Sequence, residues 1–235
     1  WGLPHVFAVY LILAASGALN AASVSSVFGR TDYSPLTRLS GLLAITLLVG
    51  GLAVLVLDLG RPDRLIVAMT HYNFKSVFAW NIFLYTGFVV VVIGYLWMMM
   101  EPRMNRYTKQ VGLLALCWRF VLTSGTGAIF GFLVAREAYD TAIMAPLFIV
   151  MSLAQGTAVF LLVSTAVFHW SGYRPAAELV AKLRRLLAIF ILVVLYLVVL
   201  YHLTNLYIAQ HHGVERFILL DGGVYTGLFW GVQVI

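Results

Sequence analysis

The run Asp58-Leu59-Gly60-Arg61-Pro62-Asp63-Arg64 sets two acids and two bases together, directly after an uncharged stretch over residues 39–57. Carboxylates accept protons and guanidinium groups polarise oxygen atoms, so such a cluster can exchange protons or hold a polar ligand. The bland alternative is an Asp58–Arg61 ion pair that merely solvates a loop, and a surface pair of that kind contributes about 0 to 1 kcal/mol. His5 adds an imidazole, the side chain that exchanges protons near neutral pH. Trp80 and Asn81, which open a later apolar run, offer an apolar wall and an amide.

The elements that must position these groups are membrane spans. The chain is 62% hydrophobic and 10% charged, with a mean hydropathy of +0.96, far outside the range of a soluble domain. Apolar runs predict helices over 5–28, 36–57, 77–100, 112–135, 143–169 and 184–208, with a seventh starting near Val224. The expected fold is therefore an all-α polytopic transmembrane helix bundle. Strict alternation of apolar and polar residues, the mark of a membrane barrel, does not occur. The opening Trp1 in place of Met, and a last run too short to complete a span, lead us to expect a longer protein.

Lys and Arg are denser in the loops after the first, third and fifth helices, among them Arg30, Arg103, Arg106, Lys109 and Arg184, which places those loops in the cytoplasm. His5, Asp58, Arg61, Asp63, Trp80 and Asn81 then share the opposite, outer end. The net charge of +6 fits this topology and contact with anionic membrane lipids; there is no basic tract of the kind that binds nucleic acid. Cys117 is the single cysteine, so neither an intrachain disulfide nor a four-thiolate cluster can form in this chain.

The string LDLGRPDR at the end of the second helix, followed by Ser76-Val77-Phe78-Ala79-Trp80 opening the third, resembles the NrfD/PsrC family of membrane subunits. Within it, Trp1-Gly2-Leu3-Pro4-His5 leading into Ser16-Gly17-Ala18-Leu19-Asn20 looks most like the membrane subunit of the sulfite-reduction-associated electron-transport complex. The resemblance implies eight to ten helices in the bacterial or archaeal cytoplasmic membrane. It implies an amino-terminal four-helix bundle, residues 1–135 here, that binds quinone, with residues 143–235 beginning a second bundle. It also implies a ferredoxin-like iron–sulfur partner on the non-cytoplasmic face, further subunits of a redox complex, and no metal in this subunit. His5 matches the family's quinone-contacting His in position. No Asn stands beside it, and Tyr72 and Tyr139 are candidates for the family's Tyr.

On that reading a quinol, menaquinol or ubiquinol, gives up two electrons and two protons between His5, Asp58 and Arg61, with Asp63, Trp80 and Asn81 around them. Arg119, flanked by Trp118 and Phe120 inside the fourth helix, must either snorkel or find an interior partner. With Gln155, Arg136 and Glu137 it traces a candidate proton path. Ser16, Asn20 and Ser23 share one face of the first helix, where hydrogen bonding between helices is the ordinary role of such residues. Gly127 and Gly131 predict close packing of the fourth helix. Two alternatives remain open: a haem b held by His5 and His202, and a structural anchor without a redox site. Solute transport ranks lower, because the charges gather at one interface instead of the midplane.

Overall fold

The computed structural model of the chain describes residues 2–71, 73–133, 137–172 and 177–234. Its helices are α1 (Leu3–Ala18), α2 (Asn20–Ser26), α3 (Ser34–Asp58), α4 (Leu65–Thr70), α5 (Val77–Met100), α6 (Thr108–Gly131), α7 (Met144–Ser171), α8 (Ala177–Tyr207), α9 (His212–Arg216) and α10 (Val224–Val234). Six spans are long and apolar enough to cross a membrane, the first of them formed by α1 and α2 together. The protein is a multi-pass, all-helical integral membrane protein.

Local sequence explains where the helices start and stop. Pro4 and Pro35 sit in the first turns of α1 and α3, where their missing N–H would be unpaired in any case. Gly172 ends α7 with a φ of 70°, a left-handed conformation that favours glycine. Pro62 opens a 3-10 turn over Pro62–Arg64 and leads into α4, the short interfacial helix that follows the charged motif.

The first span bends at Leu19, with neither Gly nor Pro at that point. Ser40 of α3 enters the backbone ladder there: the Ala22 N–H donates to Ser40 Oγ at 3.2 Å, and Ser40 Oγ donates to the Ala18 carbonyl at 2.6 Å. One hydroxyl thus stands in for the regular Ala22 to Ala18 bond, a known cause of helix kinks.

α1, α3, α5 and α6 enclose a core built on Ile12, Leu48, Phe88, Val92 and Leu122. A second cluster, with Leu13, Phe130, Leu147 and Phe148, joins α1 and α6 to α7. Small residues let these backbones approach. At the α1–α7 crossing Gly17 meets Gly156, and a Cβ on Gly17 would lie 3.0 Å from the Gly156 Cα and overlap the Ser152 carbonyl. A Cβ on Gly127 or Gly131 would come within 2.7 Å of the carbonyl of Met144 or Thr141, so the GxxxG pair seats α6 against the start of α7. α8 is different: of its 31 residues only Leu179, Leu183, Tyr201 and Asn205 are buried.

Candidate functional site

The start of α1 and the end of α3 meet at one end of the bundle. There His5 Nδ1 lies 3.4 Å from Asp58 Oδ2, with both side chains partly exposed. Asp58 therefore faces a histidine on another helix, and not Arg61 in its own loop. Any positive charge gained by the ring therefore has a counter-ion in place.

Arg61 and Asp63 flank Pro62 at the surface just beyond this pair, and neither is engaged in an ion pair among the described residues. Trp80 stands half exposed on α5; its Nε1–H donates to the Phe74 carbonyl at 2.9 Å, and Phe74 packs edge-on against its ring. These two rings, with Ala79 and Phe83, line an entirely apolar groove of about 340 Å³ to which neither His5 nor Asp58 contributes. Asn81 is 2% exposed, and its amide is used between helices. Its Nδ2 donates to the carbonyls of Val77 and Gly125 at 3.0 and 3.1 Å, and its Oδ1 accepts from Thr126 at 3.4 Å. Asn81 thus ties α5 to α6 and does not join the His5–Asp58 pair. Tyr72 and Arg136 lie outside the described residues.

Arg119 does not snorkel. It is 4% exposed, and its Nη1 donates to Asn20 Oδ1 at 2.8 Å and to the Ser16 carbonyl at 3.2 Å. The same Asn20 donates to Thr157 Oγ1 at 2.8 Å, so one amide links α2, α6 and α7. No carboxylate pairs with Arg119 among the described residues. Its Nε and the Oε1 of Gln155 are buried polar atoms without a hydrogen-bond partner among those residues. Thr123 turns back to the Arg119 carbonyl on its own helix, and Glu137 is exposed after the end of α6.

A second polar centre escaped the sequence reading. Glu215 on α9 is fully buried; it accepts from His202 Nδ1 at 2.8 Å and from Asn205 Nδ2 at 2.9 Å, both on α8. His211 Nδ1 then donates to Asn205 Oδ1 at 3.0 Å. The i, i+3 spacing of His202 and Asn205 puts them on one face, but only the turn over Ala209–His211 brings Glu215 back to them. The two imidazoles required by the haem alternative are thus each engaged with a separate carboxylate, His5 with Asp58 and His202 with Glu215. Replacing Glu215 by Ala leaves the buried Asn205 donor and the partly buried His202 donor unpaired, which should lower unfolding stability in detergent by about 3 kcal/mol. Glu215→Gln, which keeps an acceptor for one donor, should lose less, and equal losses in denaturant titrations would contradict the network.

Six spans, a rim carrying a His–carboxylate pair at one end and a buried arginine define a polytopic membrane protein with ionisable groups at one interface and inside its bundle. The chain belongs to the NrfD family: the family model described as polysulphide reductase, NrfD, matches residues 1–235. It is 27% identical over its whole length to the Hdr-like menaquinol oxidoreductase integral membrane subunit of Archaeoglobus fulgidus, covering 59% of that protein. It is 22% identical to a selenate reductase subunit of Mesobacillus selenatarsenatis, with 100% of this chain and 63% of the relative covered. A putative dimethyl sulfoxide reductase membrane subunit of Halobacterium salinarum is 26% identical, with 99% and 59% covered. The chain therefore spans about three fifths of the length of the curated relatives it matches.

Proposed function

We propose that this chain is the quinone-interacting membrane subunit of an oxidoreductase complex, and that quinol binds at the outer rim of the bundle formed by residues 1–135. The observation that carries the reading is the His5–Asp58 pair at 3.4 Å, a pair able to exchange protons, made by side chains from two spans at one end of the bundle. A relative named as a menaquinol oxidoreductase subunit supports the substrate class.

The chemistry assigned to the chain is proton handling. A quinol hydroxyl donates its hydrogen bond to the His5 imidazole; as two electrons leave the quinol, one of its two protons passes to the imidazole, where Asp58 stabilises the imidazolium, and the other leaves to water at the exposed rim. Arg61 polarises the second ring oxygen or holds the loop beneath a docked iron–sulfur subunit, which takes the two electrons on the same non-cytoplasmic face. Trp80 and Phe74 border the apolar path of the isoprenoid tail. Arg119 Nε and Gln155 Oε1, buried polar atoms without a hydrogen-bond partner among the described residues, mark the interior station of a proton route to which Glu137 and Arg136 belong by sequence.

A photoreactive quinone added to the intact complex tests the assignment. Label should fall on the peptides carrying His5 and the Asp58–Trp80 segment and be displaced by excess quinol. Label confined to α7 and α8 would overturn it.

A further inference from the structure

At the end of the bundle opposite His5, the close of α2, the start of α3, the close of α5 and the start of α6 surround a polar pocket of about 370 Å³. Ser34, Thr37, Arg38, Asn105, Arg106 and Lys109 line it, so three cations and several neutral hydrogen-bonding groups open into one space. No acid lines it among the described residues. The two carboxylates that form ion pairs on this side, Asp32 and Glu178, are both drawn to Lys182, at 3.6 and 2.9 Å. Among the described residues, Arg38, Arg106 and Lys109 have no carboxylate within ion-pair distance. Arg106 is held over the ring of Tyr107, 4.6 Å from its centroid.

Three cations brought together without a counter-ion repel one another, and an anion relieves that repulsion. The surroundings indicate the source of the anion. The pocket lies at the ends of four helices beside Tyr107 and the 67%-exposed Trp97, the aromatic types that mark headgroup depth. Exposed Val90, Ile93 and Trp97 form an apolar face of α5 leading to this end, along which acyl chains can lie. Met99 adds an apolar edge to the otherwise polar lining.

We propose that this pocket is a binding site for the phosphate of an anionic phospholipid, seated between α2, α3, α5 and α6. Arg38, Arg106 and Lys109 neutralise the phosphodiester, while Ser34 and Thr37 contact its oxygens and Asn105 the headgroup hydroxyls. Bound there, one lipid bridges the ends of the helices whose other ends carry the His5–Asp58 rim.

The test uses the full-length protein in nanodiscs of phosphatidylcholine doped with phosphatidylglycerol, with bound lipid counted by native mass spectrometry after release into detergent. The wild type should retain phosphatidylglycerol selectively. The triple variant Arg38→Gln, Arg106→Gln, Lys109→Gln should lose it by about 100-fold, given roughly a fivefold effect for each cation near a headgroup. The variant Arg103→Gln, Arg184→Gln, Arg185→Gln removes as many cations from the same side and should retain it. Equal loss in both variants would reduce the effect to general surface charge and overturn the site. Displacement of the lipid by millimolar inorganic phosphate, with phosphate itself retained, would make the ligand a free anion and also overturn it. Helical circular dichroism of each variant confirms that the fold is kept.

Discussion

On the proposed function, turnover of quinol by the assembled complex should fall about 100-fold or more when His5 is replaced by Ala or Asp58 by Asn, while the subunit still assembles. The size follows from the general range for a positioned acid–base group, about 10² to 10⁴ in rate. His5→Ala removes the proton acceptor outright. Asp58→Asn keeps the shape beside Nδ1, but withdraws the charge that stabilises the imidazolium formed during oxidation. Unchanged turnover in both variants, measured as quinol oxidation, would reject the assignment.

A large effect on stability is expected at the α1–α7 crossing. Gly17→Ala and Gly156→Ala each force a methyl group into a space already filled by the facing backbone, and no flexible side chain is there to move aside. The helices must separate, which loosens Leu13 and its neighbours against Phe148 and Leu147. Each substitution should cost about 3 kcal/mol, the upper end of overpacking effects, read as a shift of the unfolding midpoint in detergent. Gly50→Ala, at a helical glycine whose Cβ would meet nothing within 4 Å, is the control and should leave the midpoint unmoved or slightly raised. A full-sized shift at Gly50, or none at Gly17, would contradict the crossing.

Spans are legible because long uncharged runs have no other stable use, yet the fourth and sixth begin earlier than their apolar runs indicate. The sixth span starts at Ala177 and not at 184, and the fourth has its α-helix from Thr108 and not from 112. Hydropathy senses the bilayer, whereas the backbone ladder continues into the interface through charged turns such as Glu178–Arg185. The meeting of His5 with Asp58 was foreshadowed by antiparallel spans ending on one side. The inward turn of Asn81 was not, because a residue near a helix start can face the rim or a neighbour, and only the packing of α5 on α6 decides. Glu215 was hidden for a related reason: its partners lie on α8, and the reversal after Tyr207 that joins them carries no strong turn signature.

The bend at Leu19 has a consequence for biogenesis. A first span alone in lipid has no Ser40 available, and its Ala22 N–H and Ala18 carbonyl can pair only with each other, since unpaired backbone groups are costly in hydrocarbon. The newly inserted segment is then a straight rod. Its kink is acquired when the second span arrives and its hydroxyl displaces that bond, so the shape of the first helix records the formation of the first hairpin.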